Sequence, residues 1–164
     1  MPLVNDPALV KMLAGEKMHE FHDLKQKIKS IRLSEFDALA HPVVTEVTNK
    51  IDCTICGNCC KVQEPGVTMQ EVEVLANLAG TPIEKFKNEN LAFDSDGVSF
   101  LCHKPCVFLN TTVCSVYEHR PLSCADYPGL HRPRLKWRIK QLEENYSICP
   151  IVYNVVEIFK KALE

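Results

Sequence analysis

No apolar run in this 164-residue chain approaches the ~18–20 residues that a membrane-spanning helix needs. Residues 1–7 lack a basic flank leading into an apolar core, so no secretory leader is expected. Charge of one sign is not in excess: 19 Lys and Arg stand against 21 Asp and Glu, a formal net charge of -2. That balance gives no bulk attraction to a polyanion, so neither nucleic acid nor a membrane is an expected partner. There is no Gly-rich phosphate loop, G-x-S-x-G elbow or H-E-x-x-H helix, and the sequence therefore names no reaction and no catalytic residue. Internal repeats and low-complexity tracts are also missing. What remains, 46% hydrophobic and 24% charged, is ordinary globular composition of single-domain size, and the expected compartment is the cytoplasm, where thiols stay reduced.

One residue type is abundant. The chain has nine cysteines, and four of them fill one octapeptide, Cys53-Thr-Ile-Cys56-Gly-Asn-Cys59-Cys60. Cys106, Cys114, Cys124 and Cys149 follow at wider intervals, with Cys102 just ahead of them. A disulfide framework fits poorly: a bond between the neighbours Cys59 and Cys60 is strained, and an odd total leaves a thiol over. Thiolate is a soft anionic ligand that selects zinc, iron–sulfur iron and copper(I). Eight cysteines, all but Cys102, are therefore the candidate metal ligands.

The spacing admits two chemistries. Cys53, Cys56 and Cys59 make overlapping C-x-x-C units, each a tight turn presenting two sulfurs to one ion. Three at that step is also the bacterial ferredoxin spacing, and Cys149-Pro150 has the form of the remote Cys-Pro of such proteins. Zinc competes fully, since distant single cysteines converge in a folded chain. Adjacent side chains usually diverge, so Cys59 and Cys60 are expected to serve different ions, and eight thiolates divide naturally into two sets of four. Among nearby cations, Arg120 stands out because Pro121 stiffens its turn between Cys114 and Cys124. It is the candidate to donate N–H groups behind the ligands, with Glu118 orienting it.

The surrounding pattern predicts an α+β domain: helices around two short hairpins, organised by cysteine-ligated metal, with a long N-terminal helix. Asp6 caps that helix, Pro7 suits its first turn, and an apolar stripe runs from Leu9 to Ile31. A second, shorter helix from Ser34 is expected through Ala40, interrupted or bent at His41-Pro42. Thr68 to Glu71 is a capping box, and Thr81 to Glu84 has the same form. Turn residues 94–97 and 110–112 sit between strand-like runs and predict hairpins. A last helix starts at Pro150. The expected division is a helical segment over 1–49 packed on the domain, a cysteine-cluster domain over 50–150 and a closing helix over 151–164.

With these residues in view, the chain resembles the CxxCxxCC family of zinc- or iron-chelating domains. The octapeptide carries the family signature. Cys106-Val-Phe-Leu109 is similar to its Cys-Pro-Phe-Leu, and the run Cys114-Ser-Val-Tyr117-Glu118-His-Arg120-Pro121-Leu-Ser-Cys124 to its Cys-x-Ile-Tyr-Glu-x-Arg-Pro-x-x-Cys. Tyr127-Pro128 matches the Tyr-Pro that follows. Val107 and Ala125 depart from the pattern, standing where Pro and Arg are usual. The resemblance implies eight ligand cysteines and a zinc or iron centre, with Tyr117, Glu118 and Arg120 around it. It implies no reaction.

A different surface competes for attention. Arg132, Arg134, Lys136, Arg138 and Lys140 alternate with Pro133, Leu135, Trp137 and Ile139, which predicts a strand with one basic face and Trp137 in the core. Such a strand is either a solvated sheet edge or an interaction surface. His103 and His119, beside cysteines, are candidate substitutes for a thiolate. The reading is metal binding through the eight cysteines, by zinc or by iron, including an iron–sulfur cluster. The alternatives are an iron–sulfur redox or methyl-transfer accessory protein and an interaction module built on residues 132–140.

Overall fold

A computed structural model of the chain describes residues 2–164. Its helices are α1 (Pro7–Glu16), α2 (Met18–Ser30), α3 (Leu33–Thr48), α4 (Asn58–Val62), α5 (Met69–Leu78), α6 (Ile83–Asn90), α7 (Leu122–Asp126), α8 (Ile139–Asn145) and α9 (Pro150–Ala162). Strands β1 (Leu91–Phe93) and β2 (Ser99–Leu101) form one antiparallel pair, and β3 (Leu109–Asn110) and β4 (Val113–Cys114) another. The fold is α+β, as the sequence predicts. No helix among the described residues is long and apolar enough to cross a membrane. Two compact units divide the chain: Met1–Cys56 with Pro128–Glu164, and Gly57–Tyr127.

The first unit is helical and built around α9. Asp6 accepts hydrogen bonds from the N–H groups of Ala8 and Leu9 and so starts α1. The N-terminal helical run is divided at Lys17 (φ -101°, ψ 13°), after which α2 turns Phe21, Leu24 and Ile28 inward. Helix α3 passes through Pro42 instead of stopping there. Phe36, Ala40, Val44 and Val47 lie on one buried stripe across the proline, while Ala38 and Pro42 are exposed. Burying that stripe outweighs the hydrogen bond that Pro42 cannot donate. Against α9 pack α1, α2, α3 and α8. Ring pairs join Phe36 to Phe159 at 5.3 Å, Tyr146 to Tyr153 at 5.4 Å and Phe21 to Tyr146 at 5.2 Å.

Polar groups inside this unit are satisfied. Asn154 donates to the carbonyls of Pro150 (2.7 Å) and Val4 (2.8 Å) and accepts from the Val4 N–H (3.0 Å). The buried Glu157 carboxylate accepts from the Tyr146 hydroxyl (2.5 Å), Lys160 (2.6 Å) and Lys17 (2.7 Å). Burial pushes the Glu157 carboxyl up, but these three donors prevail and hold it below the ordinary value.

Residues 132–140 are not a strand. Arg134 is left-handed (φ 61°, ψ 44°), a 3-10 turn covers Leu135–Arg138, and α8 follows. Leu135 is buried but Trp137 is 71% exposed, so Trp137 is not the core anchor that alternation suggests. Two of the basic side chains work within the fold. Lys136 donates to the carbonyls of Lys29 and Ile31 at the end of α2, and Arg138 to those of Gly129 and Arg132. The Lys136 bonds are long-range in sequence and invisible to periodicity, and with the local Arg138 bonds they replace the flat basic face.

The second unit has its own core of Val67, Val72, Leu75, Ala76, Phe86, Leu101, Phe108 and Val116, with Cys106 and Cys114 packed against it. The capping box forms: Thr68 Oγ1 accepts from the Glu71 N–H, and Glu71 Oε2 from the Thr68 N–H at 2.7 Å. The second such signal does not, because Pro82 takes the capping position of α6 and the Thr81 hydroxyl bonds the Ala79 carbonyl. Asp94 Oδ1 accepts from the N–H groups of Asp96 and Val98 and closes the β1–β2 turn. In the other hairpin Leu109 pairs with Cys114 and Asn110 with Val113, around a left-handed Thr111 (φ 58°).

Candidate metal centre

The cysteine run begins with a local device. Asp52 Oδ1 accepts from both the N–H (2.8 Å) and the hydroxyl (2.6 Å) of Thr54, which winds Cys53–Ile55 into a 3-10 turn. The Cys56 N–H then closes on the Cys53 carbonyl at 3.3 Å, setting the C-x-x-C pair on a tight bend. Within the same unit Cys149 sits just before α9, buried, with its N–H on the Asn145 carbonyl at 2.9 Å. Burial pushes its thiol up to about 12, and the nearby Cys53 and Cys56 add to the shift.

In the second unit Gly57 takes the left-handed conformation (φ 58°) that turns the chain into α4. Helix α4 carries Cys59 and Cys60. Their side chains do not diverge as neighbours usually do: the sulfurs are 3.9 Å apart. Hydrogen bonding from Cys59 lowers the Cys60 thiol to about 7 against the effect of burial. Cys106 is fastened to α4 by its N–H on the Cys60 carbonyl at 2.8 Å. Cys114 is the last residue of β4 and Cys124 lies in α7.

These thiols feel one another. Burial raises Cys106, and the charges of Cys60 and Cys114 raise it further. Burial raises Cys114 also, Cys60 adds to that, and Arg120 opposes it. Cys124 is pushed up to about 12, by burial first and then by Cys60, Cys106 and Cys114. Four segments of the unit thus converge sulfur on one region. No disulfide joins the nine cysteines. Among the described residues no three His, Cys, Asp or Glu side chains are already closed around a metal-sized point. The donor chemistry nevertheless fits a soft cation. Cys106, Cys114 and Cys124 are held towards the protonated state by burial and by neighbouring thiols, while Cys60 is shifted the other way, and a bound cation would offset the cost of deprotonating the raised ones.

The residues around the cysteines sort themselves. Arg120 Nη1 donates to the Tyr117 carbonyl at 2.6 Å, and its guanidinium lies 3.7 Å from the Tyr117 ring centre. Glu118 is exposed. His103 is engaged with the Glu89 carbonyl at 2.8 Å. Cys102 is partly exposed, and its N–H bonds the Asn90 carbonyl.

Three contacts at the site escape sequence reasoning. Glu71 Oε1 accepts from the Leu122 N–H at 2.7 Å, Ser123 donates to the Gly66 carbonyl at 2.7 Å, and Gly57 lies against Thr112. Only the capping box hints at the first, and it explains one oxygen of Glu71, not the other.

No curated protein and no solved structure matches the chain. The family model of CxxCxxCC, described as a putative zinc- or iron-chelating domain, matches residues 52–150. Signature, downstream motifs and model agree over more than half the sequence, and the chain belongs to the CxxCxxCC family.

Proposed function

We propose that the protein binds zinc or iron through Cys53, Cys56, Cys59, Cys60, Cys106, Cys114, Cys124 and Cys149, and that the metal holds the fold. Cys53, Cys56 and Cys149 belong to the first unit and the other five to the second. The observation that carries the reading is the convergence of Cys60, Cys106, Cys114 and Cys124 from separate segments of one unit, with the Cys106 N–H on the Cys60 carbonyl. A site made only of thiolates would act as a structural clasp for zinc, or as the frame of an iron–sulfur centre. The 3.9 Å between the Cys59 and Cys60 sulfurs favours the mononuclear form. It is close to the edge of a tetrahedral zinc–thiolate site, about 3.8 Å for Zn–S bonds of 2.3 Å. Arg120 is the group that steadies this sulfur cluster, through its charge beside Cys114.

Anaerobic purification with metal analysis and absorption spectroscopy tests the proposal. Colourless protein with stoichiometric zinc selects the clasp, and brown protein with iron and acid-labile sulfide selects the cluster. Protein that carries neither metal and melts at the same temperature with and without a strong chelator refutes it.

A further inference from the structure

We propose that Glu71 is a positioning residue for the thiol of Cys124, acting through the backbone of α7. The inference rests on the reading that Cys124 is a metal ligand. Helix α7 has five residues, too few to hold a direction alone, because helix nucleation is unfavourable and short helices lean on tertiary contacts. Both the Cys124 and Ala125 N–H groups return to the Pro121 carbonyl, at 2.9 Å each, so these bonds shape the turn without anchoring it. Packing holds the buried Pro121 just ahead of it, but the first helical residue, Leu122, is 71% exposed. Two polar contacts from outside the helix fix its first turn. The Leu122 N–H donates to Glu71 Oε1 at 2.7 Å, and the Ser123 hydroxyl donates to the Gly66 carbonyl at 2.7 Å. They fall two residues and one residue before Cys124, and both partners lie around the start of α5.

The Glu71 carboxylate divides its work. Oε2 closes the α5 cap on Thr68, and Oε1 holds Leu122. Each role can be removed alone. Leu122→Pro deletes only the N–H received by Oε1, and the backbone accepts it. Proline suits the first position of a helix, and Pro121 already has the extended conformation (φ -51°, ψ 149°) that a following proline requires. Thr68→Ala instead takes the hydroxyl from the cap and leaves the Leu122 bond in place.

Cobalt(II) bound to the full chain is the probe, read by thiolate-to-cobalt charge-transfer absorbance and by competition with a chromogenic chelator, with Cys124→Ser as reference. Glu71→Ala and Leu122→Pro should each weaken cobalt retention about tenfold, the lower end for groups that orient metal ligands. Both should lose part of the absorbance that Cys124→Ser removes. The double variant should be no worse than either single one, because both break one bond. Glu71→Gln has one accepting oxygen for two N–H donors, so its cobalt retention should fall between wild type and Glu71→Ala. Thr68→Ala should melt earlier yet keep the wild-type spectrum. A Leu122→Pro protein with wild-type spectrum and affinity overturns the proposal even if Glu71→Ala fails to fold. An unchanged spectrum in Cys124→Ser overturns the metal reading beneath it, a separate failure.

Discussion

Gly57→Ala should damage the protein far more than an equally left-handed glycine elsewhere. Gly57 (φ 58°) and Gly80 (φ 62°) have nearly the same positive φ. Placing any L side chain there costs about 1–2 kcal/mol. The two differ in what a new Cβ meets. At Gly80 nothing lies within 4 Å. At Gly57 the Cβ would stand 2.5 Å from the Thr112 carbonyl oxygen, 2.9 Å from its Cα and 3.0 Å from its carbonyl carbon. All three are backbone atoms, so no side chain can swing aside. The turn must move, at a cost of about 1–3 kcal/mol for a forced fit of this size. The total is about 2–5 kcal/mol for Gly57→Ala against about 1–2 for Gly80→Ala, a large share of the 5–15 kcal/mol typical of a domain. Thr112 lies two residues before Cys114, so the displaced hairpin should also release metal. Urea unfolding of both variants, with metal content measured in parallel, checks this. Equal losses of stability in the two would sink the steric argument.

Glu157 has its carboxyl held below 4.5 in the fold, so its contribution is complete above that value and is lost as pH falls through it towards the lower folded value. Glu157→Gln should cost about 1.5–3 kcal/mol near neutrality, because Lys17, Tyr146 and Lys160 lose a charged acceptor while Lys160 keeps Glu20 at 2.9 Å, and the gap to wild type should close as pH falls below 4.5 in acid melts followed by circular dichroism. Arg120→Lys should weaken metal retention nearly as much as Arg120→Ala in chelator competition, since an ammonium cannot both cover the Tyr117 ring and keep the guanidinium fork. Cys102→Ser should leave metal content unchanged, whereas Cys124→Ser should lower it and the soluble yield, both read by elemental analysis. Trp137→Ala should shift thermal stability by less than about 0.5 kcal/mol, as expected for an exposed side chain.

Local chemistry was readable from the sequence. Asp6 and Thr68 cap within three residues of themselves, so α1 and α5 start where those residues announce them. Both hairpins and the Pro150 start of α9 were equally local. Pro42 misled because the reward for continuing α3 lies in residues packed from elsewhere, chiefly α9. The alternation at 132–140 misled because Lys136 and Arg138 spend their donors on carbonyls up to about a hundred residues away, which no period reports. At the site, the cysteine types and motif were plain, yet the approach of the Cys59 and Cys60 sulfurs depends on where α4 begins. The second partner of Glu71 depends on a contact across fifty-one residues of sequence.

The division of the chain has a consequence for synthesis. The Gly57–Tyr127 unit is one uninterrupted stretch, whereas the helical unit that encloses it in sequence is built on α9, which leaves the ribosome about a hundred residues after α3. Until then the apolar stripes of α1, α2 and α3 have no central helix to cover. The inserted stretch is complete before α9 is made and closes smaller loops. Nascent chains should therefore order, and begin to load with metal, from the middle outward. Metal supplied during translation would close only the inserted stretch, and the exposure of the waiting helices to aggregation is set by the time taken to reach α9.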